Sequence, residues 1–186
     1  PFQRLQRHLR DQGDGPAVLD DLKAQMVSLV TGQMFVERAF FAVRDPNGGS
    51  RFILELQGLE GEGIDAGDPF FGEALRRGRP TAFEEFVIDR PLSAMTEILG
   101  RWSCRLVVPI IDRNELMAIL LLGDKVSGYR YSAEDINLLA TLANQFAVAI
   151  TNAGLYREAL ERQKLEDELG VARKIQQRLL PSRMPR

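Results

Sequence analysis

From Ala133 to Leu180 the chain runs forty-eight residues without a proline, and only Gly154 and Gly170 weaken a helix there. At 1.5 Å per residue such a helix is roughly 72 Å long, more than twice the width of a small domain. The spacing therefore predicts a helix that extends beyond any globular body it starts on. Ser132 supplies an N-cap, and Asp135 three residues on supports it in the manner of a capping box. Pro181 predicts the stop at Leu180, because a residue before proline is disfavoured in the α conformation.

Inside this stretch Leu139, Leu142, Phe146, Ala149, Ala153, Tyr156 and Leu160 recur at alternating steps of three and four, the spacing of a coiled-coil seam. Continuing that register places Gln163 and Asp167 in the seam. A second seam, Leu165, Leu169, Ala172, Gln176 and Leu179, begins two residues out of step. The two seams face different directions, and a helix with two competing registers is a candidate bistable element. The other reading is a surface helix with an imperfect apolar stripe. Gln176 in a seam favours specific pairing at some cost in stability.

The remaining elements lie upstream. Phe2, Leu5 and Leu9 share one face of what reads as the end of an earlier helix. Pro16 suits a first helical turn, and Leu19, Leu22, Met26, Leu29 and Val30 predict an amphipathic helix over residues 17–35. Strands are predicted at 38–44 and 51–59 around the turn Asp45-Pro-Asn-Gly-Gly49. Residues 58–68, rich in glycine and acid, read as a loop. A short helix over 70–77 ends at Gly78, a short edge strand follows at 80–84, and a helix spans 91–101. Two strong strands, 105–111 and 116–123, are joined at Asp112-Arg-Asn-Glu115. Helices at both ends with strands between predict an α+β fold: an antiparallel sheet with the N- and C-terminal helices packed on one face.

Composition closes several functional classes. The 186 residues are 45% hydrophobic and 27% charged, an ordinary globular balance. Twenty-four Lys and Arg against twenty-six Asp and Glu leave a net charge of −2, which gives no field to steer nucleic acid. One cysteine rules out an internal disulfide, and one histidine, His8, leaves little for zinc, haem or triad chemistry. No metal site is expected. No unbroken apolar run approaches the roughly 18–20 residues of a membrane span, so neither membrane nor nucleic acid is an expected partner and a cytoplasmic location is expected. A start at Pro1 and a stop after Met184-Pro185-Arg186 suggest a piece of a larger protein.

Leu106-Val-Val-Pro-Ile-Ile111, Ala118-Ile-Leu-Leu-Leu-Gly123-Asp-Lys125, Gly128-Tyr-Arg-Tyr-Ser-Ala-Glu-Asp135, Leu139-Ala-Thr-Leu-Ala-Asn-Gln145 and Ala149-Ile-Thr-Asn-Ala153 together resemble the C-terminal half of a GAF domain. The N-terminal half fits more loosely, and the resemblance covers residues 16–156. It implies a sensory and dimerising module with about six antiparallel strands. Leu165-Glu-Asp-Glu-Leu169 and Ala172-Arg-Lys-Ile-Gln-Gln-Arg-Leu-Leu-Pro181 are similar to the linker helix before the catalytic domain of SpoIIE-type bacterial serine/threonine phosphatases of the metal-dependent PPM superfamily. The expected layout is then an upstream helix end over 1–15, a GAF domain over 16–156 and a signalling linker over 157–186. No catalytic residue and no cofactor fall in this piece. Mn or Mg would belong to the phosphatase domain, beyond Arg186.

Within that frame the resemblance implies a pocket closed by Phe71, Phe83, Phe86, Met95, Trp102 and Cys104, for a small molecule of unknown identity. Plain core packing is the competing reading of the same residues. The sequence lacks the Asn-Lys, Phe and Asp-Glu pattern of cyclic-nucleotide binders. Cys104 reads as a small buried residue rather than a bilin or redox site, and Glu60, Glu62, Asp65 and Asp68 fit no calcium-loop spacing. The expected partners are a second copy, paired through the terminal helices, and, for the parent protein, a phosphorylated anti-anti-sigma-type substrate. A constitutive scaffold with no ligand is the alternative.

Overall fold

A computed structural model describes residues 15–45, 49–55, 62–88 and 93–179. The predicted helix over 2–10 with His8, the tip of the turn at 46–48 and the start of the predicted helix at 91 lie outside the described residues. The chain divides into two units: Leu19–Ile150, and Pro1–Val18 with Thr151–Arg186.

The elements in order are α1 (Gly15–Met34), β1 (Ala39–Arg44), β2 (Arg51–Glu55), β3 (Glu62–Asp65), α2 (Pro69–Arg77), β4 (Thr81–Ala82), α3 (Glu84–Val87), α4 (Ala94–Arg101), β5 (Leu106–Asp112), β6 (Glu115–Leu122) and α5 (Ala133–Leu179). The six strands form one sheet in the order β3-β2-β1-β6-β5-β4, and every neighbouring pair is antiparallel. The predicted α+β architecture with six antiparallel strands is what the chain adopts.

Two elements depart from the sequence reading. Residues 62–65 form an edge strand where glycine and acid predicted a loop. Their backbone pairs with β2, Phe52 opposite Ile64 and Ile53 opposite Gly63. An edge strand needs only one buried side chain, here Ile64, and tolerates charge on its free side. The short helix α3 begins at Glu84, so the edge strand predicted at 80–84 is confined to Thr81–Ala82. The turn between β5 and β6 and the helix caps follow local chemistry. Arg113 and Asn114 both take positive φ (46° and 65°), the two-residue turn whose twist matches the flanking strands β5 and β6. Gly78, at φ 62°, closes α2.

The central strands are apolar on both faces. Phe41 of β1 lies opposite Leu120 of β6, which lies opposite Val108 of β5. Residues directly opposite share a face, so these side chains form one layer. Phe146 of α5 stacks on Phe41 with ring centroids 5.5 Å apart, which identifies that layer as the one under α5. Lys23 of α1 pairs with Glu55, the residue opposite Phe41 on β2, so α1 meets the same face. The other face carries Ala42, Leu54, Val107, Ile119 and Leu121, packed against Phe70, Phe71, Phe86, Met95 and Leu99 from α2 to α4. The sheet is thus covered on both sides, one by terminal helices and one by a layer rich in phenylalanine.

Residues 136–156 hold no charged side chain, and α5 is long and apolar enough, by length and composition, to cross a membrane. The stretch is not an unbroken apolar run, because Asn, Thr and Gln are interleaved in it. The helix is nonetheless two-sided. Leu139, Ala143, Phe146, Ala147 and Ala149 are buried, while Asn144, Gln145 and Val148 are exposed. A helix that buries one stripe against a sheet behaves as a core helix.

In the second unit the described residues are helical from 151 to 179 and at 15–18. Leu155, Tyr156, Leu165 and Leu169 are exposed, and Ala153 and Leu160 are half-buried. An ion pair joins Arg162 to Glu158.

Truncating a side chain that seats α5 on the sheet tests this packing. Phe146→Ala leaves a cavity against Phe41 and costs about 3–5 kcal/mol, measured by denaturant unfolding. Val148→Ala, on the exposed face, changes stability by less than about 0.5 kcal/mol.

Candidate functional site

The residues expected to close a pocket come together, but mainly as packing. Phe71 stacks on Phe52 with centroids 4.1 Å apart, Phe70 meets Phe71 edge-on at 5.7 Å, and Phe70 lies 4.9 Å from Phe86. Met95 has no exposed surface and Phe71 and Phe86 have almost none. Trp102, half-buried, meets Phe40 edge-to-face at 5.0 Å. Such contacts add about 0.5–1.5 kcal/mol each beyond area burial, so emptying this layer for a ligand is costly.

Charge ties the layer together. The carboxylate of Glu73, buried in α2, accepts from Arg76 (2.6 Å) and Arg77 (2.7 Å). Arg77 also donates to Glu85 of α3 at 2.6 Å and lies over the Phe86 ring at 5.0 Å. The acidic segment before α2 is used for capping. Asp68 accepts from the backbone N–H groups of Phe70 (2.9 Å) and Met95 (3.2 Å), which joins the starts of α2 and α4. Asp65 accepts from Gly67 at 2.6 Å. Glu60 lies outside the described residues.

Phe83 and Cys104 line a shallow groove of about 570 Å³ with Val87, Ile88 and Ser103. Of the expected pocket residues only these two line it. The Cys104 thiol is pushed up to about 12 by burial, and it sits 3.6 Å from the Leu106 carbonyl. A thiol so held stays protonated at neutral pH and offers no nucleophile.

A second groove, of about 700 Å³, lies on the other side of β4 and was not foreseen. It is lined by residues 79–82, 84–85, 105–106, 124–125 and 128–131, and by Ile136 in the first turns of α5. Its residues are scattered in sequence, and the strand order, which sets β4, β5 and the end of β6 side by side, assembles them.

This groove adjoins the start of the long helix. Ser132 and Asp135 form the predicted reciprocal cap: Asp135 N–H donates to the Ser132 hydroxyl at 3.2 Å, and Ser132 N–H donates to the Asp135 carboxylate at 2.7 Å. Lys125 donates to the same carboxylate at 2.7 Å and lies over the Tyr131 ring at 5.6 Å. The Tyr131 hydroxyl donates to the Gly123 carbonyl at 2.7 Å. The loop after β6 is thereby fastened to the head of α5. Partial burial works against the charged form of Asp135, but Lys125 and the hydrogen bonds from Ser132 outweigh it and hold the carboxyl below its usual value.

The two expected seams fare differently. Leu139 and Phe146 are consumed by the sheet and Leu142 is half-buried, so the first seam has its own chain as partner over those turns. Leu165 and Leu169 of the second seam are exposed; the side chains of Ala172, Gln176 and Leu179 lie outside the described ones.

Two measurements check these electrostatics. A disulfide reagent at pH 8 leaves folded protein unmodified and labels Cys104 only on unfolding; stoichiometric native labelling contradicts the assigned burial. By NMR, Asp135 titrates below 3.8, its ordinary value, and Lys125→Met raises the midpoint. Because the folded value is lowered, the stabilisation is present above pH 3.8 and is lost as pH falls through the folded midpoint.

Comparison with known proteins agrees with this geometry. No curated protein matches the chain. Solved structures that are similar include the GAF domain of a two-component sensor histidine kinase from Bacillus halodurans, at TM-score 0.55 and 20% identity, covering 74% of this chain and 96% of that one. The blue-light-absorbing form of the PixJ GAF domain of Thermosynechococcus elongatus aligns at TM-score 0.57 and 17% identity, over 84% and 96%. A GAF domain/HD domain protein from Geobacter sulfurreducens aligns at 0.56 and 12%, over 72% and 92%. At these identities the likeness concerns the fold. The GAF domain family model matches residues 17–151. With that match over most of its length, and with the six-stranded sheet between terminal helices, this chain belongs to the GAF domain family, a family of non-catalytic signalling modules.

Proposed function

We propose that the chain is the regulatory, dimerising segment of a cytoplasmic SpoIIE-type serine/threonine phosphatase. The observation that carries this is one continuous helix, α5, which starts on the GAF sheet and ends at Leu179, with Ala172, Ile175, Gln176 and Leu179 of the Ala-x-x-Ile-Gln-x-x-Leu-Leu-Pro sequence pattern in its last turns. In this reading a catalytic domain with Mn or Mg follows Arg186 and dephosphorylates a serine or threonine on an anti-anti-sigma-type protein. The segment itself catalyses nothing and needs no cofactor.

Two copies pair through α1 and the later part of α5. Apolar side chains exposed in the single chain support this: Leu29 of α1, and Leu155, Leu165 and Leu169 of the later part of α5. Full burial of one such leucine or valine stabilises a complex by about 1.5–3 kcal/mol. A signal that changes the packing or register of the paired helices then re-positions the catalytic domain, and a ligand can drive this only by binding the two packings with different affinity.

The filled phenylalanine layer favours a second reading, a constitutive scaffold that relays input from an upstream domain. Both readings need the dimer. Light scattering on residues 1–186 gives twice 20.9 kDa, and Leu169→Ala weakens the dimer by about 2–5 kcal/mol if Leu169 is buried in it. A monomer at all concentrations contradicts pairing of this segment. The coding sequence after Arg186 tests the parent: acidic metal-binding positions of the PPM type support it, and another effector domain overturns it.

A further inference from the structure

The 700 Å³ groove beside β4 holds positive charge that the described residues leave uncompensated. Four cations, Arg79, Arg105, Lys125 and Arg130, and three carboxylates, Glu84, Glu85 and Asp124, line it. Every carboxylate is engaged: Asp124 and Glu84 by Arg105, at 2.8 and 3.6 Å, and Glu85 by Arg77. Lys125 is engaged by Asp135. Arg79 and Arg130 have neither an ion-pair nor a side-chain hydrogen-bond partner among the described residues.

These two guanidinium groups come from opposite sides of the groove's sequence, Arg79 just before β4 and Arg130 from the loop between β6 and α5. Between them lies the start of β5, because β5 pairs with β4 on one side and β6 on the other. The rest of the lining is mostly apolar or aromatic, including Pro80, Leu106, Ile136, Tyr129 and Tyr131 beside Thr81, with the Tyr129 ring largely exposed. A planar guanidinium takes a carboxylate through two parallel hydrogen bonds, and an exposed tyrosine offers a ring face to a flat body. The volume is that of a small-molecule site, and the lining carries one net positive charge.

We propose that this groove binds a small organic monoanion, a carboxylate on a planar body, through Arg79 and Arg130 with Tyr129 against the flat face. The site is separate from the phenylalanine layer on the other face of the sheet. Its regulatory consequence rests on the signalling function proposed above: a ligand touching both β4 and Ile136 bears on the head of α5.

The test is an amide NMR titration of residues 1–186 with benzoate, and with benzamide as its neutral counterpart. Saturable shifts at Thr81, Tyr129, Tyr131 and Ile136 are expected with benzoate and not with benzamide. Arg79→Gln with Arg130→Gln weakens binding at least tenfold. Arg130→Gln alone, at an exposed loop position, weakens it at least threefold and serves if the double variant does not fold. The proposal is overturned by no saturation at about 10 mM benzoate, by equal binding of benzamide, or by undiminished binding in the variants. Molar mass is read on the same samples. A dimer that does not bind benzoate removes the site and leaves the signalling reading, whereas a monomer that binds it keeps the site and removes the pairing.

Discussion

β5 and β6 are buried on both faces, and everything else in the GAF unit is arranged to satisfy them. From Leu116 to Leu122 nearly every side chain of β6 is removed from water, as are residues 106–110 of β5. At about 25 cal/mol per Å² of apolar surface, leaving either face open is prohibitive. One face therefore takes α1 and the first turns of α5, and the other takes the phenylalanine layer of α2 to α4. This demand explains why aromatic residues placed where a ligand was expected pack against one another. Their first task is to cover the strands.

The same demand divides α5 into two parts with different partners. Leu139, Ala143 and Phe146 are committed to the sheet, so a change in the sheet reaches the helix through direct contact. The fastening of the β6–α5 loop, through Lys125, Asp135 and the Tyr131 hydroxyl, fixes where the helix begins. Leu165 and Leu169 carry no such commitment within the described residues. A helix held firmly at one part and offering an apolar stripe at another is suited to carry a packing change along its length. In the proposed function that is its role.

The sequence shows some of this and hides some of it for physical reasons. Capping at Ser132 and Asp135, the stop at Gly78 and the two strong strands follow from local chemistry, which a sequence displays directly. β3 is invisible because an edge strand can be built from glycine and acid when its partner β2 supplies the pairing. The steps of three and four from Leu139 to Leu160 are ambiguous by nature: seating a helix on a sheet and seating it on another helix require the same spacing. Only the Phe41–Phe146 stack decides between them for the first turns. The groove beside β4 is hidden for a third reason, since its arginines are some fifty residues apart and meet only through strand order. Phe71, Phe86 and Met95 share one buried cluster, and the distinction between pocket and core depends on contacts that spacing does not encode.

In the proposed dimer the later part of α5 pairs with a second copy in the register of Leu165 and Leu169, not in the register continued from Leu160 through Gln163. Disulfide cross-linking reads this directly, because a bridge forms only when two Cα atoms lie about 4.4–6.8 Å apart. Single cysteines are introduced as Gln163→Cys, Leu165→Cys, Glu166→Cys and Leu169→Cys, with the buried Cys104 as an inert background. Covalent dimers are expected from positions 165 and 169 and none from 163 and 166. Cross-linking at 163, equal yields at all four positions, or none at any contradicts that pairing.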